Sequence, residues 1–151
     1  MTFGKKHQKF LAARQCHVDC GDRAERALVE TMCLAACVDG RLESGEAVAL
    51  ARQILATPGF ENCDPRELAC MVEKMVDRVA SEGIEARVKA IAADLGEEAS
   101  VREEAFALAT LFVLFDHEVR DEEQALLDAL QKALGISDES TARISALLAE
   151  A

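Results

Sequence analysis

The chain has 151 residues, half of them apolar, with 28 acidic and 17 basic side chains and a formal net charge of −11. That length suits one domain able to bury about two-thirds of its unfolded surface, so folding requires neither a disulfide nor a metal. The acidity argues against a nucleic-acid or anionic-lipid surface, since both are bound mainly through Lys and Arg. The lack of Tyr and Trp argues against base stacking and aromatic cages.

Ala, Leu, Glu and Arg dominate, and no stretch alternates apolar and polar over strand length, so the expectation is an all-α fold. Start and stop signals divide the chain into about eight helices. The first, from Phe3 to Asp19, is basic and breaks at Gly21. The second opens at Asp22 with Glu25 three residues on, as in a capping box, and stops at Asp39-Gly40. Ser44 caps a third, which ends before Pro58-Gly59. Asp64-Pro65-Arg66-Glu67 is the strongest start signal: an N-cap, Pro at the first helical position and Glu at the third. That fourth helix continues to Gly83. A fifth spans Ile84 to Leu95 and stops at Gly96. Ser100 and Glu103 open a sixth, which ends at Asp116. Asp121 caps the seventh, ended by Gly135, and Ser137 caps a short eighth.

An internal repeat runs at an offset of 77 residues, matching Leu34 with Leu111, Asp39 with Asp116, Glu46 with Glu123 and Leu50 with Leu127. Each half, near 24–57 and 101–134, reads as apolar helix, Asp, six-residue link, Glu, amphipathic helix. Such placement on corresponding helix ends favours duplication. The second helix has a broad apolar face (Ala24, Ala27, Leu28, Thr31, Leu34, Ala35, Val38), widened by Val29 and Ala36. The sixth is apolar on every side from Ala105. Helices of this kind belong in the interior, so the two are expected to form a central buried pair. The organisation expected is a basic N-terminal helix over 1–21 followed by one helical domain over 22–151.

The links read Asp39-Gly-Arg-Leu-Glu-Ser-Gly-Glu46 and Asp116-His-Glu-Val-Arg-Asp-Glu-Glu123. Each places a carboxylate at the end of a buried helix and another in the first turn of the next. In tandem, on apolar helices at this separation, these turns resemble those of the TerB-like family, named for a tellurite-resistance protein. The likeness extends from about Glu25 to Ser137. It implies an all-helical domain with pseudo-twofold symmetry, a non-enzymatic role in metal or oxidative stress response, and a divalent metal ion held by Asp39, Glu46, Asp116 and Glu123. Two positions depart from the pattern. His117 replaces the glycine seen at Gly40, and Gly45 stands where the family usually has an acid.

Hard cations want several carboxylate or carbonyl oxygens at once, and two related turns could pool four carboxylates. The spacing is not that of an EF-hand, whose third, sixth and twelfth positions would fall on Arg41, Ser44 and Leu50. The ordinary reading also stands: Asp at a turn start accepts backbone N–H groups, and Glu in a first helical turn complements the helix dipole. On that reading the chain is a pure protein-interaction domain whose acidic face docks a basic partner without metal.

The six cysteines include a twin pattern, Cys16-x3-Cys20 and Cys33-x3-Cys37. Nested disulfides would need a hairpin centred between residues 26 and 27, where Ala-Glu-Arg-Ala-Leu-Val forms helix and the sulfurs cannot reach one another. The same registry opposes a four-sulfur zinc site, so a thiol or zinc protein is the least favoured reading. Cys33, Cys37 and Cys70 read as small core residues. Cys16 and Cys20 share a face with Lys5 and Lys9, which could modestly lower a thiol pKa.

Enzyme signatures are missing: H-E-x-x-H, E-x-x-H, G-x-S-x-G, Walker A and G-x-G-x-x-G do not occur. His7, His17 and His117 are the only imidazoles, and His117 reads as a solvated turn residue. The longest apolar stretch, 105–115, has eleven residues against the roughly 20 of a transmembrane helix. With no export signal behind the basic N-terminus, the expected location is cytoplasmic and the expected partners are proteins. The charge is uneven: residues 97–128 hold ten acids and two bases, a net −8.

Overall fold

A computed structural model describes residues 23–38, 46–57, 60–61, 63–114 and 120–149. The described residues are helical, with no strand among them. In chain order the helices are α1 (Arg23–Cys37), α2 (Glu46–Leu55), α3 (Pro65–Glu82), α4 (Ile84–Leu95), α5 (Ala99–Leu114), α6 (Asp121–Leu134) and α7 (Asp138–Ala149). The basic helix expected over 1–21 lies outside the described residues, as do Asp22, Ser44, Cys16, Cys20 and all three histidines.

Local chemistry accounts for the boundaries. Asp64 Oδ1 accepts the N–H groups of Arg66 (2.8 Å) and Glu67 (3.2 Å), with Pro65 at the first helical position, so the sequence signal and the cap coincide. Gly83, at φ +91°, both ends α3 and starts α4. Gly135 is left-handed, and Ile136 N–H reaches Gln131 O while Gly135 N–H reaches Lys132 O, the paired bonds of a Schellman cap. Ser137 Oγ accepts from Ser140 N–H at the start of α7. Two starts differ from expectation. Helix α5 begins at Ala99, and Ser100 donates to the Glu98 carboxylate. Helix α6 has Arg120 as its N-cap rather than Asp121.

The core is continuous. Nine consecutive residues of α5, from Ala105 to Val113, are all buried, as are eleven of the fifteen in α1. These two helices pack on each other more extensively than any other pair, as an all-round apolar pattern requires. Shifting α1 by 77 positions lays its last residue, Cys37, on Leu114, the last of α5. The matched Leu34 and Leu111 are both buried, and so are Leu50 and Leu127. Cys33, Cys37 and Cys63 lie in the core, but Cys70 is exposed, contrary to expectation. On α3 the buried stripe is Leu68, Val72 and Met75, and Cys70, two residues after Leu68, points the other way round the helix.

Within this core sits a charged pair. Arg87 on α4 donates from Nε to Glu30 Oε2 (2.6 Å) and from Nη2 to Glu30 Oε1 (2.8 Å), and from Nη1 to Glu82 Oε1 (3.2 Å). Glu30 and Arg87 are both buried. The hydrogen bonds that Arg87 donates to Glu30 hold the guanidinium above its ordinary pKa, against the opposing effect of burial. The fork-to-fork geometry satisfies both carboxylate oxygens.

Arg87→Ala is expected to destabilise the fold by about 3–5 kcal/mol, because it leaves Glu30 buried and unpaired. The double substitution Glu30→Leu with Arg87→Met should cost much less. Urea denaturation followed by circular dichroism compares them directly. Asp64→Ala should cost about 1 kcal/mol in the same assay.

Candidate functional site

The question posed by the acidic links is whether they belong together. The links themselves, 39–45 and 115–119, lie outside the described residues, and so do Asp39 and Asp116. The helices that flank them are described, and their contacts give their directions. Arg23, at the start of α1, pairs with Asp94 near the end of α4 (3.9 Å), while Glu30 pairs with Arg87 in the first turn of α4. Helices α1 and α4 therefore run antiparallel. Arg102, in the first turns of α5, donates to the Gly96 carbonyl, to Leu134 O (3.0 Å) and to Ala92 O (3.3 Å). One guanidinium thus satisfies carbonyls at the C-terminal ends of both α4 and α6, groups that helix geometry otherwise leaves orphaned.

The starts of α1 and α5 consequently share one end of the bundle with the ends of α4 and α6. Helices α1 and α5 start at that common end and form the most extensive packing pair of the bundle, so they run in the same sense. Their last residues, Cys37 and Leu114, lie toward the opposite end. Helix α3 agrees: Cys33 meets Met75, and Cys37 and Val38 line a groove with Val79, Gly83 and Ile84. The common end of α1 and α5 is therefore the end at which the chain enters both links.

Of the four carboxylates singled out by the sequence, Glu46 is the first residue of α2 and Glu123 is the third of α6. Glu123 is buried, and its Oε1 accepts the Arg120 N–H at 3.1 Å. This is the carboxylate half of a capping box. The other half is absent, since an Arg side chain can only donate. A carboxylate has about four acceptor positions, so this bond does not exhaust Glu123. It does show that the residue has a structural task at the start of α6. Among the described residues no group of three or more His, Cys, Asp or Glu side chains is placed to hold a metal ion.

Sequence reasoning missed the two arginines that organise these ends. Arg87 and Arg102 each stand in a stretch of unremarkable helix pattern, and their partners lie as far as 57 and 32 residues away. The thiols divide sharply. Cys33 is fully buried, and desolvation, with smaller contributions from Cys37 and Glu30, raises its pKa well above the ordinary thiol value. No helix among the described residues is long and apolar enough to cross a membrane. Comparison with family models, with curated proteins and with solved structures gave no match.

Three outcomes follow. Arg102→Met should lose about 1–3 kcal/mol of stability, because the carbonyls of Ala92, Gly96 and Leu134 lose a charged donor; urea titration reads it. Of Cys33 and Cys70, a thiol reagent should label Cys70 first and Cys33 only on unfolding, as peptide mass mapping would show. Above the ordinary thiol pKa the unfolded chain binds fewer protons at Cys33 than the folded chain does. The Cys33 contribution to stability should therefore be constant below that pH and decline above it.

Proposed function

We propose that the chain is a non-enzymatic, TerB-like helical module of stress-response type. In this reading eight helices form two pseudo-twofold-related halves, and a divalent cation is bound across the two acidic links. Asp39 and Asp116 carry the site, with Glu46 and Glu123 contributing from the first turns that follow. The same acidic end is presented to a protein partner in the cytoplasm, without nucleic acid.

The observation that carries this reading is the common direction of α1 and α5, which brings the chain into both links at one end of the bundle. Had the two central helices run oppositely, the links would have been separated by a helix length, about 22 Å for fifteen residues. The coincidence of the α1 and α5 C-terminal ends at an offset of 77 supports duplication and the pseudo-twofold relation. The density of acids around the second link, six against one base over residues 116–128, supports a cation or a basic partner there.

One observation favours the alternative, a metal-free interaction domain. Glu123 already accepts the Arg120 N–H, as a residue serving only the helix start would. Calorimetric titration of the chain with Ca²⁺, Mg²⁺, Mn²⁺ and Zn²⁺ separates the two. The expected result is one cation per chain, with affinity lost in Asp39→Asn and in Asp116→Asn alike. No heat with any of the four ions would overturn the metal reading. The interaction reading would then rest on a partner pull-down that weakens with salt.

A further inference from the structure

Two sulfurs meet between α1 and α3, and a third lies one helical turn away. Cys33 Sγ lies 4.0 Å from Met75 Sδ. Cys37 is one turn beyond Cys33 on the same face of α1, near enough to act electrostatically on the Cys33 thiol. Cys33 is fully buried and Met75 nearly so. Cys37, also buried, lies at the edge of an open, largely apolar groove of about 380 Å³ lined with Val38, Val76, Val79, Ala80 and Ile84.

We propose that Cys33, Cys37 and Met75 form a binding site for a soft monovalent cation, copper(I) or silver(I), entered through the groove beside Cys37. The donor chemistry selects the ion. Thiols and a thioether are soft ligands that favour copper(I), whereas calcium and magnesium require oxygen. The spacing agrees. Two metal–sulfur bonds of about 2.3 Å at a trigonal angle place their sulfurs about 4 Å apart, close to the Cys33–Met75 separation.

The charge balance also suits the surroundings. Each thiol that ligates as thiolate releases its proton to solvent, and the cation neutralises the first thiolate formed. With both thiols ionised the unit carries a net charge of −1, less costly to bury than two bare thiolates, and Cys37, on the groove side, holds the second of them. The cation arrives in its reduced state, so no electron transfer is involved. Arg87 occupies the Glu30 carboxylate one turn before Cys33, which leaves sulfur as the donor set. The donor set is distinct from the carboxylates of the acidic links.

The test is copper(I) titration of the reduced full chain against a chromophoric copper(I) chelator, with helicity followed by circular dichroism. The triple substitution Cys16→Ser, Cys20→Ser and Cys70→Ser removes three of the four other thiols and leaves only Cys63, which is buried. One tightly held copper per chain is expected in the native and triply substituted proteins. Met75→Leu, which keeps side-chain volume, should weaken binding by about tenfold or more without loss of helicity. Cys37→Ser, at the groove, should do the same. X-ray absorption should show only sulfur neighbours. No copper uptake, uptake lost in the triple substitution, or affinity unchanged in both Met75→Leu and Cys37→Ser would overturn the proposal.

Discussion

Glu30 and Arg87 stand 57 residues apart in the chain and 2.6 Å apart in the fold. Both are removed from water, and a lone buried charge of either kind costs several kcal/mol. The two costs are offset only in the arrangement where the guanidinium fork meets both carboxylate oxygens. A slip of one turn between α1 and α4 would leave Glu30 unpartnered in an apolar core and Arg87 with Glu82 alone. The hydrophobic contacts around them are far less particular, since Leu, Val and Ala surfaces tolerate several registers. The pair therefore selects the relative position of α1 and α4, and Glu82 ties the end of α3 to the same guanidinium.

From that register the rest of the bundle follows. Helix α4 lies antiparallel to α1, and Gly83 turns α3 into α4 without a longer loop. At the far end Arg102 draws the C-terminal carbonyls of α4 and α6 to the start of α5. Two arginines, one bonding at the start of α4 and one at its end, thus orient the central helices. One sits between α1 and α4, the other where α4, α5 and α6 meet. The functional consequence is spatial: two stretches of carboxylates 77 residues apart in sequence are entered from a common end. Part of the net charge of −11 lies at that end, since residues 116–128 alone hold six acids and one base.

Much of this was legible in the residues, and the legible parts share a physical character. Asp64-Pro65, Gly83, Gly96 and Gly135 act through backbone geometry within a few residues, and a local signal is readable locally. The interior position of α5 was legible because apolarity on every side leaves no polar face for solvent. What escaped reading was long-range. The Glu30–Arg87 pair has no local signature, and each partner alone resembles a solvated charge. Arg120 displaced Asp121 as the N-cap because Glu123 could bond its N–H, a competition among neighbours that residue preferences do not resolve. Cys70 was misassigned by residue type, since thiols are usually buried, when its angle from Leu68 placed it outside. The links themselves, with Asp39 and Asp116, fall outside the described residues. The proposed site therefore rests on the helices that lead to the links.

The shared direction of α1 and α5 bears the most weight, and one distance comparison tests it. Nitroxide amino acids incorporated at Val38 and Asp121, and separately at Arg23 and Asp121, allow pulsed dipolar spectroscopy with the native cysteines left in place. If both links are entered at one end, the Val38–Asp121 distance is the shorter of the two, by an amount approaching the length of α1, about 22 Å for its fifteen residues. A Val38–Asp121 distance equal to or longer than Arg23–Asp121 would contradict the arrangement and separate the two acidic links.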